Sequence, residues 1–183
     1  MRYSTILISL LFVTLLFAGC SGNTSSSSTD SAAADTVSSA SIVSTADAFL
    51  KAAGKDGTWI IAVTQDLSVD QNIVVEGEFT KSDHSNPPKQ VPAGRKIALY
   101  NQDKNRNKTA SYTLTAPRLI VRSKNTRIQG GTFKGDVYVE AEGFSVIDAT
   151  VDGNVYFANQ TLKDSLVLDN GGKITGAVEL KKL

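Results

Sequence analysis

Residues 131–140 read GTFKGDVYVE, and residues 149–158 read ATVDGNVYFA. Gly135 and Gly153 hold the same place in the two segments, 18 residues apart, and each is followed by x-Val-Tyr-apolar. A third version, KITGAVEL, puts Gly176 a further 23 residues on. Eighteen residues before Gly135 stands Pro117, followed by Arg118-Leu119-Ile120-Val121, and SVDQNIVVEG fits the same frame with Gln71 in the glycine slot. Alternate residues of a strand face opposite sides, so the frame defines inward columns. One is Ile73, Leu119, Val137, Val155 and Val178. A second is Val75, Val121, Val139, Phe157 and Leu180. A third, two residues before the slot, holds Val69, Phe133, Val151 and Ile174, with Thr115 as a polar misfit. Ile128 and Val146 form another pair 18 apart.

Apolar columns at a coil-sized period predict a parallel β-solenoid (β-helix), an all-β fold with coils of 18 to 23 residues. A single coil cannot bury its own inside, and stacking at about 4.8 Å per coil makes one continuous core. A β-sandwich also accommodates many short strands with regular turns, but it gives no reason for columns to recur in register. The five extra residues before Gly176 predict a loop around Asn159 to Lys163 and the glycines at 171 and 172.

The folded part is expected from Ile42 to residue 183, about 140 residues and enough for one domain. It opens with STADAFLKAAGKDG. Ser44 is the candidate N-cap, Asp47 lies in the first turn, Phe49, Leu50, Ala52 and Ala53 form an apolar face, and Gly54 ends the helix. This short helix, over 45–53, is placed to cap the first coil. At the other end GAVELKKL carries no evident cap, and open strand edges invite pairing with other chains. Val178 and Leu180 are therefore the candidate self-association residues. Residues 79–116 read as a long insertion, with NQDKNRNKTAS as a hairpin tip or loop between KIALY and SYTLTA.

Before the domain, Arg2 precedes an apolar run from Ile6 to Ala18 broken only by Ser9 and Thr14. That run is shorter than the roughly 20 residues a membrane helix needs, and it predicts a secretory signal peptide over 1–19. Phe17-Ala18-Gly19-Cys20 ends it, and Cys20 is the only cysteine. The segment resembles the lipobox of bacterial lipoproteins, with Phe17 where that family favours Leu. The resemblance implies lipidation of Cys20 and attachment to a bacterial cell membrane, outside the cytoplasm. More than one acyl chain is what stable anchoring requires, and one cysteine leaves no disulfide framework within the chain. SGNTSSSSTDSAAADTVSSAS, residues 21–41, is too polar to order itself by burial and reads as a flexible tether after the lipidated cysteine.

The stretch from Gly131 to Leu180, in GTFKGDVYVEAEGFSVIDATVDGNV and KITGAVEL, resembles bactofilins, polymer-forming bacterial proteins built as small β-helices. The resemblance covers roughly a third of the chain and implies self-assembly. Most members lack a lipobox, and the 79–116 segment sets this chain apart. On architecture alone, the reading is also similar to right-handed β-helices of the pectin-lyase type, which handle polysaccharides.

The catalytic inventory is thin. His84, in KSDHSNPPKQ, is the only histidine and Cys20 is read as lipidated, so neither a Cys/His dyad nor a His-rich metal set is available, and no His-containing triad is recognised. No phosphate-binding glycine loop of the usual spacing is present. Asp136, Glu140, Asp148 and Asp152 lie on the last coils; paired acids serve glycoside hydrolysis, but solvated strand faces also carry such residues. Neither catalytic residues, metal nor cofactor is assigned.

Tyr138 and Tyr156 point outward in this frame, as a short ladder that either stacks on sugar rings or stabilises neighbouring strands. The net charge of +1 hides an asymmetry. Residues 79–127 carry eleven basic residues against Asp83 and Asp103, a formal +9, whereas residues 128–183 carry −3. Lys89, Arg95, Lys96, Lys104, Arg106, Lys108, Arg118, Arg122, Lys124 and Arg127 form the candidate polyanion-binding band. Its partners would be anionic wall polymers or lipid headgroups. The lysines lack the interleaved aromatics of single-strand binders, which weighs against nucleic acid. The sequence thus favours a non-enzymatic, membrane-anchored structural or adhesive solenoid, with a carbohydrate-binding or polysaccharide-active β-helix as the alternative.

Overall fold

The computed structural model describes residues 40–181. The signal peptide, Cys20 and all but the last two residues of the tether lie outside them. The chain begins with β1 (Ala40–Val43) and α1 (Ala46–Ala53), so the ordered fold takes in Ala40 and Ser41, which the sequence places in the tether. Next comes a coil of β2 (Ile60–Val63), β3 (Leu67–Ser68) and β4 (Ile73–Val75), then a hairpin of β5 (Phe79–Ser82) and β6 (Gln90–Ala93). The next coil holds β7 (Lys96–Ala98), a second hairpin of β8 (Tyr100–Gln102) and β9 (Lys108–Ser111), and the long β10 (Thr113–Val121). Two further coils follow: β11 (Arg127–Gln129) with β12 (Thr132–Val139), and β13 (Ser145–Ile147) with β14 (Thr150–Asp152) and β15 (Val155–Phe157). The short α2 (Gln160–Asp164) leads into the last coil, β16 (Val167–Asp169), β17 (Lys173–Ile174) and β18 (Val178–Leu180).

The result is a parallel β-solenoid. One face is the six-stranded sheet β1-β2-β7-β11-β13-β16. β10 and β12 run round a corner and so serve both other faces, with β3, β14 and β17 on one side of that corner and β4, β15 and β18 on the other. The predicted columns are the observed register: Ile73, Leu119, Val137, Val155 and Val178 are successive neighbours. So are Val75, Val121, Val139, Phe157 and Leu180. Ile61, Ile97, Ile128, Val146 and Leu168 form the column of the first face. Burying each such side chain contributes about 1.5–3 kcal/mol, which is why three-residue strands suffice.

Gly153 and Gly176 recur because the backbones of successive coils touch at this corner. A Cβ on Gly153 would stand 2.1 Å from the Gly135 carbonyl oxygen, and one on Gly176 2.5 Å from that of Gly153.

Four sequence expectations are corrected. The third column is Leu67, Leu114, Phe133, Val151 and Ile174. Thr115 is displaced from it because β10 carries an irregularity between Thr115 and Arg118, so that Ala116 and Pro117 together face Gly135. Val69 is buried nonetheless, and its amide donates to the Thr115 carbonyl at 2.8 Å. The N-cap of α1 is Thr45, whose hydroxyl accepts from the Ala48 amide, rather than Ser44. The 79–116 segment is not one insertion: β7 lies inside it as a full member of the first face, with a separate hairpin on either side. The expected loop at 159–163 is mostly α2, capped by the Asn159 side chain and held by buried Leu162.

Candidate functional site: the open end of the stack

The two ends of the solenoid differ. At the first, α1 packs over β1, β2 and β4, burying Phe49, Ala52 and Ala53. Its last turn is closed from an unexpected direction. Arg95, between β6 and β7, is completely buried. Its guanidinium donates to the carbonyls of Ala52, Ala53 and Gly54 at the end of α1 and to that of Thr58 at 2.7 Å. Its face lies 4.5 Å from the Phe79 ring centroid. A cation at a helix C-terminus meets the negative end of the helix dipole and supplies donors to otherwise unpaired carbonyls. Burial pulls the Arg95 pKa down to about 10, with Glu76 opposing, so the side chain stays charged at neutral pH. Arg95 is therefore a structural clamp and not part of a polyanion surface.

At the second end the core is left partly exposed among the described residues; α2 lies at its margin beside β15 and β18, where the Lys163 ammonium donates to the Val178 carbonyl at 3.0 Å. β16, β17 and β18 each have a neighbour on one side only. Leu168 is 49% exposed, although Val146, its neighbour in the same column, is 0% exposed. Leu180 is 50% exposed directly beyond fully buried Phe157. Ile174 and Val178 are only partly buried against the core. The structure thus brings Val178 and Leu180 together with Ile174 and Leu168. Leu168 goes unrecognised in the sequence because α2 stretches its spacing from Val146 to 22 residues.

The rest of the basic band divides. Lys108 pairs with Asp148 at 2.7 Å and Arg122 with Glu140 at 2.8 Å. Lys96 donates to the Tyr100 hydroxyl at 2.8 Å, and Arg118 lies 5.2 Å from the Tyr138 ring centroid. Lys89, Lys104, Arg106 and Lys124 are exposed, on the two hairpins and the turn after β10, and make no ion pair among the described residues. Arg127 is partly buried beside Lys96 on the first face. Of the ten, Arg95 is buried and Lys108 and Arg122 are already ion-paired, so they are not equally available to a polyanion.

Tyr138 and Tyr156 are neighbours on the outer side, with centroids 4.9 Å apart and rings tilted by 40°. Tyr138 is only 3% exposed, however, because Arg118 and Lys181 lie over it and Tyr156 flanks it. Lys181 Nζ stands 4.4 Å from the Tyr156 centroid. The outward ladder is thus covered by cations.

The four carboxylates singled out by sequence have separate structural partners. Asp136 accepts from the Asn154 amide and side chain, and Asp152 from the Thr175 hydroxyl; Glu140 and Asp148 hold the ion pairs above. His84 is exposed in the β5–β6 loop. A shallow groove of about 380 Å³ beside Arg122, Ser123, Lys124, Glu140 and Glu142 carries both signs of charge. No family model matches the chain, and neither a curated protein nor a solved structure matches it.

Proposed function

We propose that this chain is a non-enzymatic structural protein of a bacterial cell envelope, held to a membrane by lipid on Cys20 and working through its solenoid. The observation that carries this reading is the asymmetry of the stack among the described residues: one end is closed by α1, and the other presents a partly exposed apolar core. Large exposed apolar surface on a folded domain marks an interaction site, and β16, β17 and β18, each without a strand on its outer side, extend it with backbone donors and acceptors. The protein self-associates through this end. The covered tyrosines and the separately paired carboxylates favour this reading over a carbohydrate-active one.

Anchoring is tested by Cys20→Ala in the full chain. The variant should leave the membrane fraction and lose incorporation of labelled palmitate; a chain still membrane-bound and labelled would overturn the anchor. A second reading has its own observation. Lys89, Lys104, Arg106 and Lys124 project from hairpins and turn without carboxylate partners among the described residues, which suits a contact with anionic wall polymer or lipid headgroups.

A further inference from the structure

We propose that the occupant of the open end is the same end of a second copy, joined about a two-fold axis into a closed dimer and not a filament. The inference rests on the reading that the open end associates, and it specifies the partner. A head-to-tail stack would need the first coil of one copy to sit on the last coil of another. That surface is taken: α1 covers it with Phe49, Ala52 and Ala53, and Arg95 ties down the end of the helix. The only uncovered apolar cross-section among the described residues is the one at the last coil, so its partner is another like it. A self-complementary contact of this kind is isologous and closes at two copies.

Symmetry then restricts the pairing. A two-fold axis perpendicular to the stack reverses chain direction, so strands meet antiparallel. It maps one of the three faces onto itself and exchanges the other two. The charges select which face. If β18 pairs with β18 of the second copy centred on Leu180, Glu179 lies opposite Lys181 twice, once on each side of the axis. Centring on Glu179 would instead set two carboxylates against each other. With β18 on the axis, β16 must meet β17 of the second copy. Placing Leu168 opposite Ile174 keeps both inward-facing and sets Asp169 opposite Lys173. Neither alternative axis does as well: β16 on itself about Leu168 pairs Val167 with Asp169, and β17 on itself about Ile174 pairs Lys173 with Thr175. One arrangement joins the Leu180, Leu168 and Ile174 columns and matches charge on all three faces, with Val178 left opposite position 182 of the second copy.

The test uses the full chain in membranes. Leu180→Cys should give a covalent dimer on mild oxidation and no larger species, while Ile42→Cys, 77% exposed at the closed end, should give none. The unmodified chain controls for Cys20. Separately, Glu179→Lys should weaken the dimer about tenfold, since two attractive cross-strand pairs become repulsive, and adding Lys181→Glu, which by itself also removes the cation over Tyr138 and Tyr156, should restore it. A ladder of species beyond the dimer would overturn closure while leaving open-end association intact. Cross-linking of Leu180→Cys to Ile42→Cys in a mixture would show head-to-tail stacking and overturn the two-fold. Charge swaps without effect would overturn the register, and a monomer throughout would overturn the underlying reading as well.

Discussion

Gly153 lies directly over Gly135, so close that a Cβ on the former would stand 2.1 Å from the carbonyl oxygen of the latter. The obstacle is backbone, which cannot swing aside. Gly153→Ala should therefore destabilise the domain by about 1–3 kcal/mol, as overpacking does. Gly171→Ala is the comparison. Nothing lies within 4 Å of its Cβ, but its φ of +81° leaves a backbone cost of about 1–2 kcal/mol. Urea midpoints of the two variants, with Gly153→Val added, should show cost rising with side-chain size at 153. Equal stability of Gly153→Val and the parent would contradict the close stacking.

Arg95 should matter for stability and not for polyanion contact. Arg95→Met removes the donors serving four carbonyls around the end of α1 and should cost about 3 kcal/mol. Arg95→Lys should recover only part of this, because an ammonium lacks the planar fork. Denaturation midpoints and amide exchange along α1 would report both. An unchanged midpoint in Arg95→Met would contradict the clamp.

The two hairpins should respond to acid before the coils. Asp83 is held below its ordinary 3.8 by donation from the Lys89 amide and from the Ser85 hydroxyl and amide, in that order. Asp103 is likewise lowered, first by the Asn107 side chain and backbone. A depressed carboxylate contributes stability that is fully present above the unfolded pKa and is lost as pH falls through the folded one. Amides of Ser85, Lys89, Asn105 and Asn107 should thus hold their exchange protection at pH 5 and lose it as the pH drops below 3.8, while those of β12 persist. Simultaneous loss in β12 would contradict the separation.

If the exposed hairpin cations contact anionic polymer, Lys104→Gln with Arg106→Gln should weaken retention on poly(glycerol phosphate). Rising salt should do the same, because screening shortens from about 10 Å at 0.1 M to about 3 Å at 1 M. Salt-independent retention would remove this second reading.

Much of the fold was legible because a solenoid repeats its constraints. Val137, Val155 and Val178 must each meet the same neighbours one coil away, so the period is written in the apolar residues. The failures have local causes. The irregularity at Ala116–Pro117 adds a residue to one coil and shifts Thr115 out of register. β7 is only three residues long and lies between two polar hairpins, so its Ile97 and Ala98 carry no visible period. Arg95 reads as one more cation in a basic stretch, because its carbonyl partners lie about 40 residues earlier in the chain. Tyr138 faces outward as its alternation requires; its covering by Arg118 and Lys181 depends on long side chains reaching across coils.

The central claim is that the unfinished end of the core is the associating surface. Its most direct test is size-separated light scattering on the chain from residue 20 onward carrying Cys20→Ser, beside the same chain with Leu168→Lys and Leu180→Lys, over a range of concentration. A concentration-dependent dimer is expected in the first and a folded monomer in the second. A monomer at every concentration in the first, or an unchanged dimer in the second, would contradict it.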